Sequence, residues 1–262
     1  MRPRIITFLS ELYCSREVLS QLVTQQLILR YRRTVLGYLW TLINPLLMIS
    51  LMAVVFSTLF KVDVKVFAVF LFTGMIPWNF FSSVSTQSGS AFIQNEGLIK
   101  KIYLPKAIFP LSIAFALLVD SLLSFLALFV IIIALGGQLG WPLLFLPVSF
   151  LLLFFFTLGF ALIMSIATVF FRDLQHVILV AMQGLFFLTP ILYKHDALAG
   201  KVAWLVGMNP VTPFITLFRA PIIEAVLPSS AVLLQAVVIS ASSLTIGLWV
   251  FLCQEKKIVF RL

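Results

Sequence analysis

The sequence predicts an all-α membrane protein with six transmembrane helices, an N-terminal amphipathic interfacial helix, and short external re-entrant helices between the fifth and sixth spans. Hydrophobic residues make up 62% of the chain and charged residues 10%, whereas soluble domains contain roughly 45–50% and about 25%. The 27 phenylalanines carry more apolar surface than a soluble monomer of 262 residues can bury. Long apolar runs without period-two alternation favour helices over barrel strands. An ordinary soluble protein is excluded.

Six apolar runs predict the membrane spans, because about 20 apolar residues cross a hydrocarbon core roughly 30 Å thick. The runs cover residues 38–60, 67–84, 109–135, 143–170, 177–193 and 231–253. A further apolar stretch at 204–227 contains three prolines together with Arg219 and Glu224. Since these residues are costly in a lipid-exposed helix, we expect short interfacial or re-entrant helices there and no seventh span.

Basic residues predict the orientation. One side of the six spans holds five of the 18 Lys and Arg residues, namely Lys61, Lys65, Lys194, Lys201 and Arg219. The remaining 13 lie on the side of both termini, and an excess of Lys and Arg marks the cytoplasm. We therefore expect a single domain with a cytoplasmic interfacial segment at 1–37, a six-span bundle at 38–253 and a cytoplasmic tail at 254–262. The net charge of +9 is attributed to these flanks and disfavours nucleic-acid binding.

Residues 17–30 predict the amphipathic helix. At helical spacing one broad face carries Val18, Leu19, Leu22, Val23, Leu27 and Leu29. We expect this helix along the cytoplasmic interface, where the adjacent cluster of Arg30, Tyr31, Arg32 and Arg33 can meet anionic head groups. The cluster either anchors the chain to the membrane or contacts the anionic head of a lipid-linked substrate.

The loop at 95–105 is too polar to span a membrane but apolar enough for a short helix. Leu98, Ile99, Ile102 and Tyr103 form one helical stripe that ends before Pro105. The loop is either a solvated turn or a helix whose stripe fits a groove in a soluble partner.

Asp120 is the one acidic residue midway along a predicted span. No Lys, Arg or His lies in another span to pair with it, so a proton relay has little support. We expect Asp120 to make a structural hydrogen bond or to be protonated at a helix interface, with a role in the transport path as the alternative. The clustered Phe186 and Phe187, with Tyr193, are assigned in the same way to helix packing or to the transport path.

Catalytic motifs are missing. The chain contains no G-x-x-x-x-G-K-[ST] phosphate loop, no H-E-x-x-H and no G-x-S-x-G. Its two histidines, His176 and His195, fall on opposite sides of the predicted membrane and cannot share a metal within one chain. We therefore expect no catalytic residue, no metal site and no cofactor in this chain.

Several segments, in the same order, resemble the ABC-2 type permeases that export polysaccharides. Residues 30–47 (RYRRTVLGYLWTLINPLL) are similar to the entry into the family's first span, and 95–105 to its first cytoplasmic helix. Residues 170–173 (FFRD) and 187–193 (FLTPILY) match its fourth and fifth spans. Asn209-Pro210 and Phe218-Arg219 fit its external loop.

The resemblance implies the permease of an exporter in the bacterial inner membrane, built from two copies of this chain and two copies of a separate ATPase that binds ATP and Mg. Its cargo would be a glycan on undecaprenyl pyrophosphate, with O-antigen favoured over capsule or teichoic acid. A helix at 96–104 and the turn at Arg172 and Asp173 would couple to the ATPase. The implied coupling residues in that helix are Glu96, Gly97, Leu98, Ile99, Lys100, Lys101, Ile102 and Tyr103.

The resemblance further implies an external gate that includes Asn209, Pro210, Phe218 and Arg219. Two other functions stay open at this point. One is an ABC-2 exporter of a drug or a small lipid. The other is an ion-coupled transporter that needs no ATPase.

Overall fold

A computed structural model of the protein describes residues 8, 10–30, 34–134, 140–194 and 200–261. Within these residues the regular structure is helical, and they contain no β-strand. The helices, numbered in chain order, are α1 (Arg16–Arg30), α2 (Trp40–Phe60), α3 (Val64–Ser88), α4 (Ala91–Gln94), α5 (Glu96–Lys101), α6 (Ile108–Ala134), α7 (Leu146–Phe170), α8 (Leu174–Leu188), α9 (Gly200–Met208), α10 (Thr212–Arg219) and α11 (Ser230–Arg261).

Five helical segments in the described part of the chain are long and apolar enough to cross a membrane. They are α2 with the 3-10 turn before it, α3, α6, α7 with the 3-10 turn Trp141–Phe145, and α11. The shortest has 24 residues, which is about 36 Å of helix and exceeds a hydrocarbon core of roughly 30 Å. These segments correspond to the first four predicted spans and the sixth.

The fifth predicted span, at 177–193, is shorter than expected. The helix α8 has 15 residues and ends at Leu188, so it is only about 22 Å long. Thr189 leaves the helix with φ −97° and ψ 132°, because the following residue, Pro190, disfavours the helical conformation at the position before it. The prediction that the helix continues to Tyr193 was therefore wrong.

Residues 200–224 form short helices, as predicted, and no seventh span. The helices α9 and α10 have nine and eight residues, and the π-helical turn Ala220–Glu224 follows. Proline stands in the first turn of α10 and of the π-helical turn, where its missing N–H is tolerated.

Burial divides the long helices into inner and outer ones. In the most apolar stretch of each helix, 67% of α3 and 61% of the α7 segment are buried, against 17% of α2 and 22% of α11. The helices α7 and α11 cross so closely that a Cβ built on Gly247 would lie 2.3 Å from the Gly159 carbonyl oxygen. Small residues at this crossing allow the contact, as is common in membrane helix packing.

Contacts between segments define the two ends of the bundle. At the end that we call the terminal end, Phe8 lies 6.2 Å from Phe251 of α11 between ring centroids, and Phe92 lies 6.4 Å from the same ring. The opposite end, called the distal end, carries the connection from α2 to α3 around Asp63, which caps α3 by accepting from the Lys65 and Val66 amides.

Candidate functional site

Asp120, near the middle of α6, is bound by two side chains from the N-terminal part of the chain. Arg30 Nη1 donates a hydrogen bond to Oδ2 and forms an ion pair with it, and the Tyr38 hydroxyl donates to Oδ1. Only 25% of the Arg30 side chain and 14% of the Asp120 side chain are exposed. The basic partner comes from α1 and not from another span. The prediction considered only partners within the spans and therefore missed Arg30.

A second contact aligns α1 with α6. Gln26 Nε2 donates to Ser112 Oγ at 3.3 Å, and Gln26 lies one helical turn before Arg30 on the same face of α1. Leu22 on this helix is buried. The helix α1 is therefore held to a spanning helix by polar contacts as well as by its apolar face. Tyr31, Arg32 and Arg33, the rest of the predicted basic cluster, lie outside the described residues.

A cavity of about 480 Å³ lies beside this ion pair, between α2, α3 and α6, and we call it the polar cavity because polar residues stand among its mostly apolar lining. Arg30 and Asp120 line it together with six uncharged polar residues, namely Thr41, Asn44, Asn79, Ser83, Ser121 and Ser124. Ser121 is 6% exposed, and its Oγ has no hydrogen-bond partner among the described residues. Polar groups that enclose a cavity among apolar helices are unusual, because burying them without partners is unfavourable.

The predicted coupling helix is shorter than expected. The helix α5 covers Glu96–Lys101, and Ile102 is already extended at φ −131° and ψ 137°, so the prediction of a helix at 96–104 was wrong. Leu104 precedes Pro105, which disfavours a helical conformation there. Leu98 and Ile99 pack against the core, whereas Ile102 and Tyr103 are 53% and 85% exposed. The four apolar residues therefore do not form one stripe.

Glu96 and Lys100 form an ion pair one turn apart on α5. The Lys100 ammonium hydrogen-bonds the carboxylate and carries the opposite charge, so it holds the pKa of Glu96 below its ordinary value. The Arg172 guanidinium lowers this pKa further by a smaller amount. Arg172 and Asp173 are exposed in the turn between α7 and α8, so the structure brings both predicted coupling segments to the terminal end.

Phe92 in α4 connects the coupling segment to the bundle. Its ring is fully buried and lies 6.2 Å from Phe109 of α6 and 6.4 Å from Phe251 of α11. Nearby, the Thr168 hydroxyl of α7 donates to the Gly89 carbonyl. Sequence analysis did not single out Phe92, because an aromatic residue in a phenylalanine-rich chain carries no distinguishing pattern.

At the distal end Asn209 joins the short helices to the end of α8. Its Nδ2 donates to Thr189 Oγ1 at 2.8 Å and to the Leu188 carbonyl at 3.2 Å. Its Oδ1 accepts from the Val211 amide at 2.9 Å. Pro210 is exposed. Asn209 thus satisfies backbone groups that the end of α8 leaves open.

Arg219 makes three hydrogen bonds and an aromatic contact at the distal end. Its Nη1 donates to the Pro190 carbonyl, and its Nη2 donates to the carbonyls of Ile191 at 2.8 Å and Phe70 at 3.5 Å. The guanidinium carbon lies 3.7 Å above the Phe70 ring centroid. Gly74 makes room for it, since a Cβ there would lie 2.9 Å from Nη2.

The neighbouring Phe218 is fully buried, with ring centroids 6.0 Å from Phe125 of α6 and 4.8 Å from Phe150 of α7. Phe218 and Arg219 therefore attach α10 to α3, α6 and α7 and to the segment that follows α8. Of the four residues that the resemblance assigned to an external gate, Asn209, Phe218 and Arg219 are held to the bundle by specific contacts, and Pro210 is exposed.

The aromatic residues assigned to the transport path or to packing have different surroundings. Phe186 packs edge-on against Trp78 at 5.7 Å between centroids. Phe187 is 68% exposed, and Tyr193 donates its hydroxyl hydrogen to the Phe187 carbonyl at 2.8 Å. Phe186, Phe187 and Tyr193 do not line the polar cavity.

Asn44 and Asn79 line the cavity but were not identified from the sequence. The available signal was an amide side chain within an apolar run, because polar residues inside spans are rare and often functional. Asp120 was identified by its charge, whereas the two amides are uncharged and lie in different spans.

The chain is similar to known proteins over most of its length. Residues 17–223 match the model of a family described as ABC-2 type transporter. An O-antigen export system permease protein RfbA from Klebsiella pneumoniae is 31% identical over 217 residues, which are 80% of this chain and 82% of that protein. The protein of the same name from Myxococcus xanthus is 31% identical over 238 residues, 90% of this chain and 92% of its own. The polysialic acid transport protein KpsM from Escherichia coli is 25% identical over 235 residues, 87% and 89% of the two chains.

Proposed function

Because the chain belongs to the ABC-2 type transporter family, we propose that it is the permease subunit of an ATP-driven exporter of a lipid-linked polysaccharide, with O-antigen as the cargo. The observation that carries this proposal is the 31% identity to two O-antigen export permeases over 80% and 90% of the chain. The similarity to a polysialic acid transport protein supports the same class of cargo. ATP and Mg are bound by a separate ATPase subunit.

The chain crosses the bacterial inner membrane six times, with both termini in the cytoplasm. The contact of Phe8 with Phe251 supports an even number of crossings, because it brings the two ends of the chain to one end of the bundle. The helix α8 begins beside Gly89, to which Gln175 Nε2 donates at 3.4 Å. Arg219 connects the residues just after α8 to Phe70, near the start of α3, because its Nη2 donates to the carbonyls of both Ile191 and Phe70.

The helix α8 thus runs from the terminal end towards the distal end, although it is too short to cross alone. The short helices α9 and α10 complete this crossing as external re-entrant helices. Their attachment to α3, α6, α7 and α8 through Asn209, Phe218 and Arg219 supports this arrangement.

The exporter contains two copies of the permease and two copies of the ATPase. Only 17% of the most apolar stretch of α2 is buried. This large exposed apolar face supports a contact with the second permease copy. The ATPase docks at the terminal end on α5, on the exposed Ile102 and Tyr103, and on the turn at Arg172 and Asp173. When the ATPase subunits close, this surface moves and Phe92 passes the displacement to α6 and α11.

The lipid diphosphate of the cargo contacts the segment at 30–33 from the inner leaflet. The charge of Arg30 is offset by Asp120, so the positive charge that attracts the diphosphate comes from Arg32 and Arg33. Arg30 then acts mainly by holding α1 against α6. Asn209, Pro210, Phe218 and Arg219 form the external gate.

A deletion of the gene with complementation tests the proposal. Loss of the polysaccharide from the cell surface, with accumulation of lipid-linked polymer inside the cell, is the expected result. Complementation by the wild-type gene should restore export only when the ATPase subunit is present. Normal surface polysaccharide in the deletion strain would contradict the proposal and favour an exporter of a drug or small lipid. Export that persists without the ATPase would favour an ion-coupled transporter.

A further inference from the structure

The polar cavity between α2, α3 and α6 has the composition of a ligand site. Asn44, Asn79 and Ser121 project polar groups onto it from three different helices. The Ser121 hydroxyl is almost fully buried and has no hydrogen-bond partner among the described residues. A buried hydroxyl without a partner is unfavourable, so its presence at a cavity wall indicates that a bound ligand or a water molecule satisfies it.

The charges at the cavity exclude a strong preference for an anion. Arg30 and Asp120 both line the cavity, but they neutralise each other, and Tyr38 donates to the second carboxylate oxygen. A diphosphate would have to displace Asp120 from Arg30. The amide and hydroxyl groups that remain suit an uncharged ligand with many hydroxyls.

Apolar residues also line the cavity. Phe72, Ile76 and Phe80 of α3 lie on the same helix as Asn79, and apolar residues of α2 and α6 contribute as well. A lining that combines aromatic and aliphatic groups with amides and hydroxyls suits a sugar ring, which has a C–H face and an equatorial rim of hydroxyls. The volume of about 480 Å³ lies within the range of roughly 300–1,000 Å³ that is usual for small-ligand sites.

We propose that this cavity binds neutral sugar residues of the glycan while it is exported. Asn44, Asn79 and Ser121 donate and accept hydrogen bonds with sugar hydroxyls, and Phe72 and Phe80 contact the C–H face. The inference rests on the proposed function, since it assigns a subsite to the cargo of that exporter.

Site-specific photo-cross-linking in cells tests the contact directly. The photoreactive residue p-benzoylphenylalanine is introduced at position 44, which is exposed at the cavity wall, and at position 47 as the control. Leu47 lies on the same helix and is 57% exposed, but it does not line the cavity. After irradiation, the permease is purified with its ATPase and stained for carbohydrate by periodate oxidation.

We expect a light-dependent carbohydrate adduct at position 44 and none at position 47. The adduct should disappear in a strain that cannot synthesise the polymer. Equal adducts at both positions, or a carbohydrate-free adduct at position 44, would overturn the inference.

Substitutions in the cavity provide an independent measurement. Asn79→Leu should lower the export rate about tenfold, and Ser121→Ala about threefold, as expected for losing one or two hydrogen bonds to a ligand. The control is Ser242→Ala, an exposed hydroxyl in α11 that bonds its own helix. Permease levels in the membrane and ATPase co-purification should be unchanged in all three variants. Normal export by Asn79→Leu would mean that the cavity holds only water.

The two proposals fail in different ways. If the deletion strain keeps its surface polysaccharide, the proposed function is wrong. If that strain loses the polysaccharide but position 44 captures no sugar, the exporter stands and the cavity is not a sugar site.

Discussion

Arg30 and Arg219 attach flanking segments to opposite parts of the bundle by different means. Arg30 ties α1 to α6 through a carboxylate, Asp120, so that the two charges offset each other. Arg219 ties α10 to α3 and to the segment just after α8 through backbone carbonyls and the Phe70 ring. The pair at Asp120 needs an opposite charge, whereas the site at Arg219 needs the planar shape of a guanidinium. The two attachments should therefore respond differently to substitution.

The largest effect is expected at Arg219, because three carbonyls lose their donor at once. Arg219→Met should lower the apparent free energy of unfolding by about 3–5 kcal/mol. Denaturant titration of the purified permease in detergent measures it. Arg219→Lys should recover less than half of the loss, since one ammonium cannot reach the same carbonyls and stack on Phe70. Full recovery by lysine would show that charge alone matters there.

The pair of Arg30 and Asp120 should show an intermediate, strongly coupled effect. Arg30→Met or Asp120→Leu alone leaves an unpaired, partly buried charge and should lower the free energy of unfolding by about 1–3 kcal/mol.

The double variant should be less destabilised than the sum of the two single variants by about 1–2 kcal/mol. Arg30→Lys should retain most of the stability, unlike Arg219→Lys, because a carboxylate accepts a point charge. Strict additivity in the same denaturant titration would contradict the ion pair.

A smaller effect is expected at Gly74, which faces the Arg219 guanidinium. In Gly74→Ala the new Cβ would lie 2.9 Å from Arg219 Nη2 and 3.3 Å from Ile191 Cγ2. Because the new Cβ displaces these two side chains, the substitution should lower the free energy of unfolding by about 1–2 kcal/mol. The matched control is Gly184→Ala in α8, where no neighbouring atom lies within 4 Å. Equal stability of the two variants would mean that the Arg219 contacts tolerate movement.

The smallest effect is expected at the exposed ion pair of Glu96 and Lys100. Because the pKa of Glu96 is lowered in the folded chain, the pair stabilises α5 at pH values above 4.5, the ordinary pKa of this carboxyl. This contribution is lost as the pH falls through the lowered pKa. An NMR titration of labelled Glu carboxyl carbons should give a Glu96 midpoint below 4.5.

Lys100→Ala should raise that midpoint, and Lys101→Ala should leave it nearly unchanged. A Glu96 midpoint that is the same in the wild type and in Lys100→Ala would show that the pair does not form in solution.

Helix ends show how far local sequence predicts the fold. Five of the six predicted spans correspond to helices in the described residues that are long and apolar enough to cross a membrane, because length and composition decide this property. The ends of α5 and α8 were misplaced, although Pro105 and Pro190 mark both. In each case apolar residues continue past the helix end, and they extended the prediction beyond it.

The sequence by itself determined that this chain is an all-α membrane protein with short helices at 200–224, since apolar length and proline position act locally. It also carried the segments that resemble polysaccharide export permeases. Only the tertiary structure decided that Arg30 meets Asp120, that Arg219 meets Phe70, and that Asn44, Asn79 and Ser121 share one cavity. These partners are far apart in the sequence, and only helix packing, which no local pattern encodes, brings them together.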